Sequence, residues 1–420
     1  MAQLIINGGR KLKGIWRPSG NKNEALPLIA ASLLFRKGLT LTNVPDIEDT
    51  RVMLDIARSL GVRVRRNNGS IRFSSPKKPM RELSLELSSR VRGSVLFIAP
   101  LLINGTVNIP ATGGDRIGIR PIDTHLEMFK AFGAKVSGSS ITLKKKELYR
   151  RSPVLIWLSE PSVTATENAL MLASARPFKT IIKNAACEPH IIGLGRALEQ
   201  AGVTVTGLGT NLIEMTGTRI FKRVSHRVSE DFMEAGSALV MSAVSGGAVK
   251  VAIEDPAEYQ LIFNTFRKFG KKVVRSGELY SVVDGPKTKD GIRTLNDDPW
   301  PNFPSDLMSV MIVLASQCSG QFLFHEKMFE SRLYFTDQLN MLGAQVVLCD
   351  PHRVLVTGPS RLHGTTLVSP DIRAGMALVI AALIARGQSV INNSQQLDRG
   401  YEGIMKKLKA VRARAVLQVQ

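Results

Sequence analysis

Six segments of the chain are apolar on nearly every side: Asn21–Gly38, Arg90–Gly105, Ser162–Pro177, Asp231–Gly247, Ser305–Gly320 and Asp371–Gly387. Each opens on a polar or charged residue and runs through an Ala/Leu-rich interior, as in Ala25-Leu26-Pro27-Leu28-Ile29-Ala30-Ala31. A helix apolar all round is a buried helix, so these segments predict six core helices rather than amphipathic surface ones. A second pattern alternates with the first: the end of an amphipathic helix, then a small residue or Gly, then a β-rich run. It recurs at Gly61, Gly133, Gly202, Gly270, Gly343 and Arg412, at intervals of 72, 69, 68, 73 and 69 residues. The glycine suits a left-handed residue closing a helix before a strand. Arg412 in the last copy predicts a different turn there.

Together the patterns describe six repeats of roughly 70 residues, each with a buried helix, a strand, an amphipathic helix and a further strand or two. No repeat can bury its helix alone. The expected architecture is therefore α/β, with the repeats grouped three and three into two lobes around shared helical cores. Residues 20–227 form the expected first lobe, carrying the loop Ala111–His125, and residues 1–19 with 228–420 the second. Gln3–Ile15 is strand-like and is expected to close the second lobe's ring.

Ala111–His125 packs three glycines, two arginines, two aspartates, a proline and a histidine into fifteen positions. It reads as a glycine-hinged loop with charged tips. Elsewhere the chemistry concentrates at the helix starts. Lys22 with Asn23, Arg92, Ser162, Asp231, Asp306, and Asp371 with Arg373 hold equivalent places in the repeat. Helix N-termini attract anions. Ser162, Asp231, Asp306 and Asp371 are equally good N-caps. Lys22, Arg92 and Arg373 oppose the helix dipole, and an anionic ligand would account for them.

Composition narrows the field. The chain has 420 residues, is 44% hydrophobic, and its longest apolar runs, Val95–Ile103 and Ala377–Ala385, are too short to span a bilayer. With no basic segment leading into a long apolar one at the N-terminus, a cytoplasmic protein without membrane insertion is expected. Cys187, Cys318 and Cys349 are scattered and the six histidines lack ligand spacing, so no metal and no cofactor is expected. The cysteines are expected to fill small apolar gaps. A net charge of +21 fits either nucleic-acid binding or an anionic small substrate. Its lysine and arginine clusters are spread along the chain, and aromatics, at 6%, do not interleave with them. That argues against nucleic acid as the partner.

The motifs resemble the enolpyruvyl transferases nearly end to end. Those carrying the likeness are Ser19-Gly20-Asn21-Lys22-Asn23-Glu24, Arg92-Gly93-Ser94, Gly113-Gly114 through His125, and Asn184-Ala185-Ala186-Cys187-Glu188-Pro189. In the second half they are Phe303-Pro304-Ser305-Asp306, Phe329-Glu330-Ser331-Arg332, Asp371-Ile372-Arg373 and Asp398-Arg399-Gly400-Tyr401-Glu402. The likeness is to the branch that uses UDP-N-acetylglucosamine for peptidoglycan synthesis. The 3-phosphoshikimate branch shares the fold, but its usual Ser-Lys-Ser and Asn-Ala-Gly-Thr motifs are absent.

The resemblance implies a two-lobe inside-out α/β barrel. It also implies transfer of the enolpyruvyl group of phosphoenolpyruvate to the sugar 3′-hydroxyl, by addition and then elimination of phosphate. By matching position, Lys22, Arg120 and Arg399 would hold phosphoenolpyruvate, with Asn23 beside Lys22. Arg92, Arg120, Pro121, Ile122, Asp123, Thr124, Ser162, Val163, Asp306 and Met328 would hold the nucleotide sugar. Asp306 would be the base, and Arg332, Asp371 and Arg373 would complete the cleft. His125, Glu188 and Glu234 would be supports. The alternatives are a 3-phosphoshikimate or related acceptor, and a non-catalytic paralogue with a binding or regulatory role.

The sequence departs from the family pattern at three places near this chemistry. Asp115 stands where most members carry the cysteine that fosfomycin alkylates, so it is the candidate acid, and fosfomycin resistance is expected. Glu160 stands for a residue that is often basic, and Thr164 for a glycine.

Overall fold

The computed structural model describes residues 2–67, 69–80, 82–109, 112–115, 117–286 and 291–419. Ala111 and Arg116 of the Ala111–His125 loop lie outside the described residues. The chain divides into two compact units. One is Gly20–Gly114 with Arg120–Ser229, and the other is Met1–Ser19, Asp115–Ile119 and Glu230–Gln420. The loop tip 115–119 thus goes with the second unit, whereas the sequence reading left the whole loop with the first. The reason lies in its contacts. Ile117 is buried and its carbonyl accepts from the Ser331 N–H, while the Ile119 N–H donates to Glu330 Oε1 at 3.0 Å.

All six core helices form. In the first unit they are Lys22–Ala31, the 3-10 turn Arg92–Phe97 continued by Ile98–Leu102, and Val163–Ser174. In the second they are Phe232–Val244, the 3-10 turn Ser305–Leu307 continued by Met308–Ala315, and Ile372–Ile384. Every residue of Met308–Ala315 is buried, as an all-apolar helix requires. The three helices of the second unit pack on one another at the centre of a single hydrophobic core. A separate core of the same kind fills the first unit.

Among the described residues the strands form six separate sheets, five of four strands and one of three, and none closes into a continuous barrel. The plan repeats. The strand after each core helix, such as Lys179–Lys183, pairs antiparallel with the second strand of a hairpin that follows the amphipathic helix. On its other side it pairs parallel with an entering strand, here Val154–Trp157. The three-stranded sheet, Thr106–Asn108 with Lys135–Ser137 and Ser140–Thr142, has no entering strand among the described residues. Burial alternates along these strands, inward toward the helices and outward to solvent, as in Leu39–Thr42.

The N-terminal segment closes two sheets. Ala2–Gly8 inserts between Gly387–Asn392 and Ala415–Val419, antiparallel to both, and so supplies the strand the sixth repeat lacks. Gly14–Trp16 is the entering strand for Val249–Ala252 in the fourth repeat.

The helix-ending position behaves alike in all six copies. Gly61, Gly133, Gly202, Gly270 and Gly343 have φ between 68° and 101°. Arg412, expected to change the turn, keeps it: its φ is 60°, and Arg412 N and Ala413 N bond to the carbonyls of Lys409 and Leu408 at 3.0 Å each. Gly61 and Val62 bond to Arg58 and Ala57 in the same way, at 2.9 and 3.0 Å. The hydrogen-bonding pattern of this helix end therefore survives loss of the glycine, at the cost of a left-handed arginine. Cys187 and Cys318 fill buried gaps, but Cys349 is exposed on an outer strand, against expectation.

Candidate active site

Each unit grips its own linker through a glutamate in the first turn of its first core helix. Glu24 accepts from Ser229 N at 3.0 Å, from Ser229 Oγ, and lies 2.7 Å from His226 Nε2. Glu234 accepts from Trp16 Nε1 at 2.7 Å, from Ser19 N at 3.0 Å, and from Lys407 Nζ. These buried carboxylates fix the backbone immediately before Lys22 and Phe232.

In the first unit, Asn21 caps the first core helix by accepting from Asn23 N at 2.9 Å and Glu24 N at 3.3 Å. That leaves the Lys22 side chain to reach Asp49 Oδ2 at 2.5 Å. Arg92 donates to Thr112 Oγ1 and to the Pro121 carbonyl, both at 3.0 Å, and so ties together the two arms of the loop. Burial, then the neighbouring Arg120 cation, pulls the Arg92 guanidinium below its ordinary value. Gly113 belongs to the same hinge, since a Cβ there would overlap the Ser89 carbonyl. Thr124 Oγ1 donates to Glu160 Oε1 at 3.2 Å and lies 3.1 Å from Ser159 Oγ. His125 Nε2 lies 2.9 Å from Thr164 Oγ1. The two unusual residues, Glu160 and Thr164, are therefore the hydrogen-bond partners of two residues at the start of the loop's following helix, Asp123–Ala131. Burial, reinforced by Arg92, pushes His125 down to about 4. Burial pushes Glu188 up to about 7.

The second unit holds a continuous charge network. Asp306 Oδ1 accepts from Arg332 Nη2 at 3.1 Å, and Oδ2 accepts from Arg373 Nε at 2.8 Å. Both arginines are buried, while the Asp306 side chain is 29% exposed. Asp371 caps the sixth core helix, accepting from Arg373 N at 2.7 Å and Ala374 N at 2.9 Å. Burial raises the Asp371 carboxyl above the ordinary range, and the Asp115 charge adds to this against the opposing Arg332 cation. Asp115 itself pairs with Arg399 Nη1, which also donates to Gln396 Oε1 at 3.2 Å. At the loop tip, Gly118 has φ 143° and a Cβ there would overlap the Glu330 carboxylate. Only glycine allows the tip to lie against that side chain.

Several expectations change. Ser162, Asp231 and Asp371 cap their helices, but Asp306 does not. It sits inside a 3-10 turn, and its oxygens go to the two arginines. The cations that seemed to require an anionic ligand already have internal partners: Asp49 for Lys22, Asp306 for Arg373, and Thr112 with Pro121 for Arg92. Asp49 was not foreseen. It lies in the next helix, Glu48–Ser59, whose amphipathic pattern gives no sign that one acidic residue turns inward. Among the remaining candidates, Asn23, Arg120, Ile122 and Val163 are half-buried, while Pro121, Asp123 and Met328 are exposed.

Comparison with known proteins fits this arrangement. A family model described as EPSP synthase (3-phosphoshikimate 1-carboxyvinyltransferase) matches residues 6–408. The chain is 40% identical over 420 residues to a UDP-N-acetylglucosamine 1-carboxyvinyltransferase of Treponema denticola, with 98% of each chain covered. The chain belongs to the UDP-N-acetylglucosamine 1-carboxyvinyltransferase family. A member of that family from Bradyrhizobium diazoefficiens is 41% identical, over 98% of this chain and 97% of its own. Among solved structures, the enolpyruvyl transferase NikO from Streptomyces tendae superposes with a TM-score of 0.86 at 21% identity, covering 100% of this chain and 99% of its own. The fold is thus that of the enolpyruvyl transferases.

Proposed function

We propose that the chain transfers the enolpyruvyl group of phosphoenolpyruvate to the 3′-hydroxyl of UDP-N-acetylglucosamine and releases phosphate. The observation that carries this reading is Asp306, a carboxylate held by two buried arginines yet open enough to meet a hydroxyl. Near 40% identity over almost the whole chain supports the choice of acceptor. In the first step the acceptor oxygen bonds to C2 of phosphoenolpyruvate as its proton passes to Asp306, and C3 takes a proton from Asp115. The product is a tetrahedral ketal. In the second step C3 gives a proton back to the Asp115 carboxylate, the C–O bond to phosphate breaks with its electron pair going to phosphate, which takes up the proton held by Asp306, and the C2–C3 double bond re-forms.

Lys22, Arg120 and Arg399 hold the phosphate and carboxylate of phosphoenolpyruvate. In this role Lys22 exchanges Asp49, and Arg399 exchanges Asp115, for the incoming anion. The second exchange matters, because an arginine contact is one a carboxylate makes, and Asp115 must carry a proton to act as the acid. Asn23, Arg92, Pro121, Ile122, Asp123, Thr124, Ser162, Val163 and Met328 contact the acceptor or support those that do. Arg332, Asp371 and Arg373 hold Asp306 and its surroundings in place. Among the described residues no helix is long and apolar enough to cross a membrane, and a cytoplasmic location belongs to the same proposal.

The test is phosphate release from phosphoenolpyruvate, with UDP-N-acetylglucosamine or shikimate 3-phosphate as acceptor. Release with the nucleotide sugar alone is expected. Release with neither would remove the enzyme reading, and release with shikimate 3-phosphate alone would transfer it to the other branch. Asp115→Asn should lose about 10²–10⁴-fold in rate, the span of a general acid. Fosfomycin should leave the native protein active and inactivate Asp115→Cys. A covalent fosfomycin adduct at Asp115 would overturn the resistance prediction.

A further inference from the structure

Behind Arg332 lie two carboxyl groups that the reaction does not use. Asp297 and Glu326 are both fully buried. Asp297 Oδ1 accepts from Lys327 N at 2.5 Å, and Glu326 Oε1 accepts from Ser305 Oγ at 2.6 Å. The second oxygen of each, Asp297 Oδ2 and Glu326 Oε2, finds no donor among the described residues. Yet the two residues are neighbours: they follow directly on the paired strand ends Asn296 and His325, and Asp297 holds the backbone on both sides of Glu326, its N–H donating to the His325 carbonyl at 3.2 Å and its Oδ1 accepting from Lys327 N. Two buried carboxylates cannot face each other as anions without a large electrostatic cost, and a proton between them removes it. Glu326 Oε2 also lies 3.8 Å from Arg332 Nε, the arginine whose Nη2 donates to Asp306.

Resting on the proposed role of Asp306, we infer that Asp297 and Glu326 share one proton, and that Glu326 is thereby a positioning residue for Asp306. It acts by two routes. It accepts from Ser305, the residue before Asp306, and so pins the 3-10 turn that carries the base. It also sets how strongly Arg332 is drawn backward. With the proton in place, the pair carries one negative charge and Arg332 stays on Asp306. Without it, two negative charges pull the guanidinium toward Glu326, and Asp306 loses the Arg332 donor.

The charged groups around the pair are consistent with a retained proton. Arg332 faces Glu326 directly, with Asp306, Asp371 and Arg373 beyond it. Lys327 directs its ammonium away from the pair, to Asp298 at 2.6 Å. His352, on the neighbouring hairpin, meets Glu326 at its backbone, its Nδ1 lying 2.7 Å from the carbonyl. Burial first, and then Asp297, push Glu326 up to about 9.

The test uses the full-length protein and three variants: Glu326→Gln, Asp297→Asn and the double. If acceptor-dependent kcat/KM of the native enzyme falls on an alkaline limb near pH 9, Glu326→Gln should remove that limb while keeping neutral-pH activity within about threefold. Asp297→Asn should move the limb to lower pH, because Glu326 then ionises more easily. The double variant should behave as Glu326→Gln. Shifts in the same direction for both single variants, or a limb unmoved by Glu326→Gln, would overturn the inference.

Two further readouts do not depend on activity. At pH 7 the native-minus-Glu326→Gln infrared difference spectrum should carry the carbonyl stretch of one protonated carboxylic acid, the bands of other buried carboxyls such as Glu188 cancelling. The Tm of Glu326→Gln should gain on the native protein as pH rises from 5 to 9. If the native protein releases no phosphate with UDP-N-acetylglucosamine, the functional reading fails, and these two readouts still decide whether the proton is shared. A difference spectrum that lacks the band, or a Tm difference flat with pH, would refute the sharing.

Discussion

Replacing Asp306 by Asn removes one negative charge from between two buried cations and changes almost nothing in shape. Asp306 accepts two charge-assisted hydrogen bonds, at 3.1 Å from Arg332 and 2.8 Å from Arg373. Such bonds contribute about 1.5–3 kcal/mol each, against about 1 for a neutral acceptor. Asn keeps one acceptor oxygen and turns a donor amide toward the second arginine. Its side-chain exposure of 29% admits some screening water, which favours the lower part of the range. The expected cost is about 2–3 kcal/mol. In a unit of this size that lowers Tm by about 4–12 °C. Loss of the base should separately cost about 10²–10⁴-fold in kcat. Thermal unfolding and phosphate release, measured on the same samples, separate the two effects. A folded Asp306→Asn enzyme within tenfold of native kcat would refute the base assignment. An unchanged Tm would refute the claim that the two arginines depend on this carboxylate.

Other predictions follow from single residues. Arg412→Gly should stabilise the protein by about 0.5–1 kcal/mol, because relief of a left-handed arginine outweighs the extra freedom glycine has in the unfolded chain. A Tm unchanged or lowered in thermal unfolding would show that the turn at φ 60° is unstrained. His125 is held neutral, its folded value depressed to about 4 from 6.5. Its contribution is present above pH 6.5 and is lost as pH falls toward 4, since only the unfolded chain takes up the proton in that window. Urea titrations of native and His125→Gln protein between pH 7 and 4 should therefore converge, by about 3 kcal/mol for a shift of this size. Gly118→Ala should displace the loop tip from Glu330 and lower kcat/KM at unchanged Tm, because the strain falls on the exposed tip. A fall in Tm without a kinetic effect would contradict that.

The repeat plan was legible because it is written in local chemistry. Apolar interiors marked the six core helices, and five glycines marked the helix ends. Asp231 and Asp371 could be recognised as caps because capping joins residues two or three apart. What escaped were pairings between distant segments. The link from Lys22 to Asp49, and the nearness of buried Asp297 to Glu326, bring together residues on different elements, and no periodicity encodes them. The capping alternative for Asp306 fails for the same reason: its local spacing suits capping, but Arg332 and Arg373 compete for it from elsewhere. At Arg412, residue identity misled because backbone hydrogen bonds, rather than the side chain, hold that turn.

The strand Ala2–Gly8 is flanked on both sides by strands far along the chain, Gly387–Asn392 and Ala415–Val419. During synthesis this strand must therefore wait for residues nearly four hundred positions later before it has any partner. The unit containing Gly20–Gly114 and Arg120–Ser229 faces no such delay, since all its strands are made in the first 229 residues. It can fold while the rest of the chain is still being translated. The other unit remains open until Gly387–Asn392 has been made, with an apolar strand holding Leu4 and Ile6 in search of a sheet. That makes its nascent form the one exposed to aggregation and to chaperones. A destabilising change in that first strand should therefore reduce yield in the cell more than the same change buried in the earlier-folding unit.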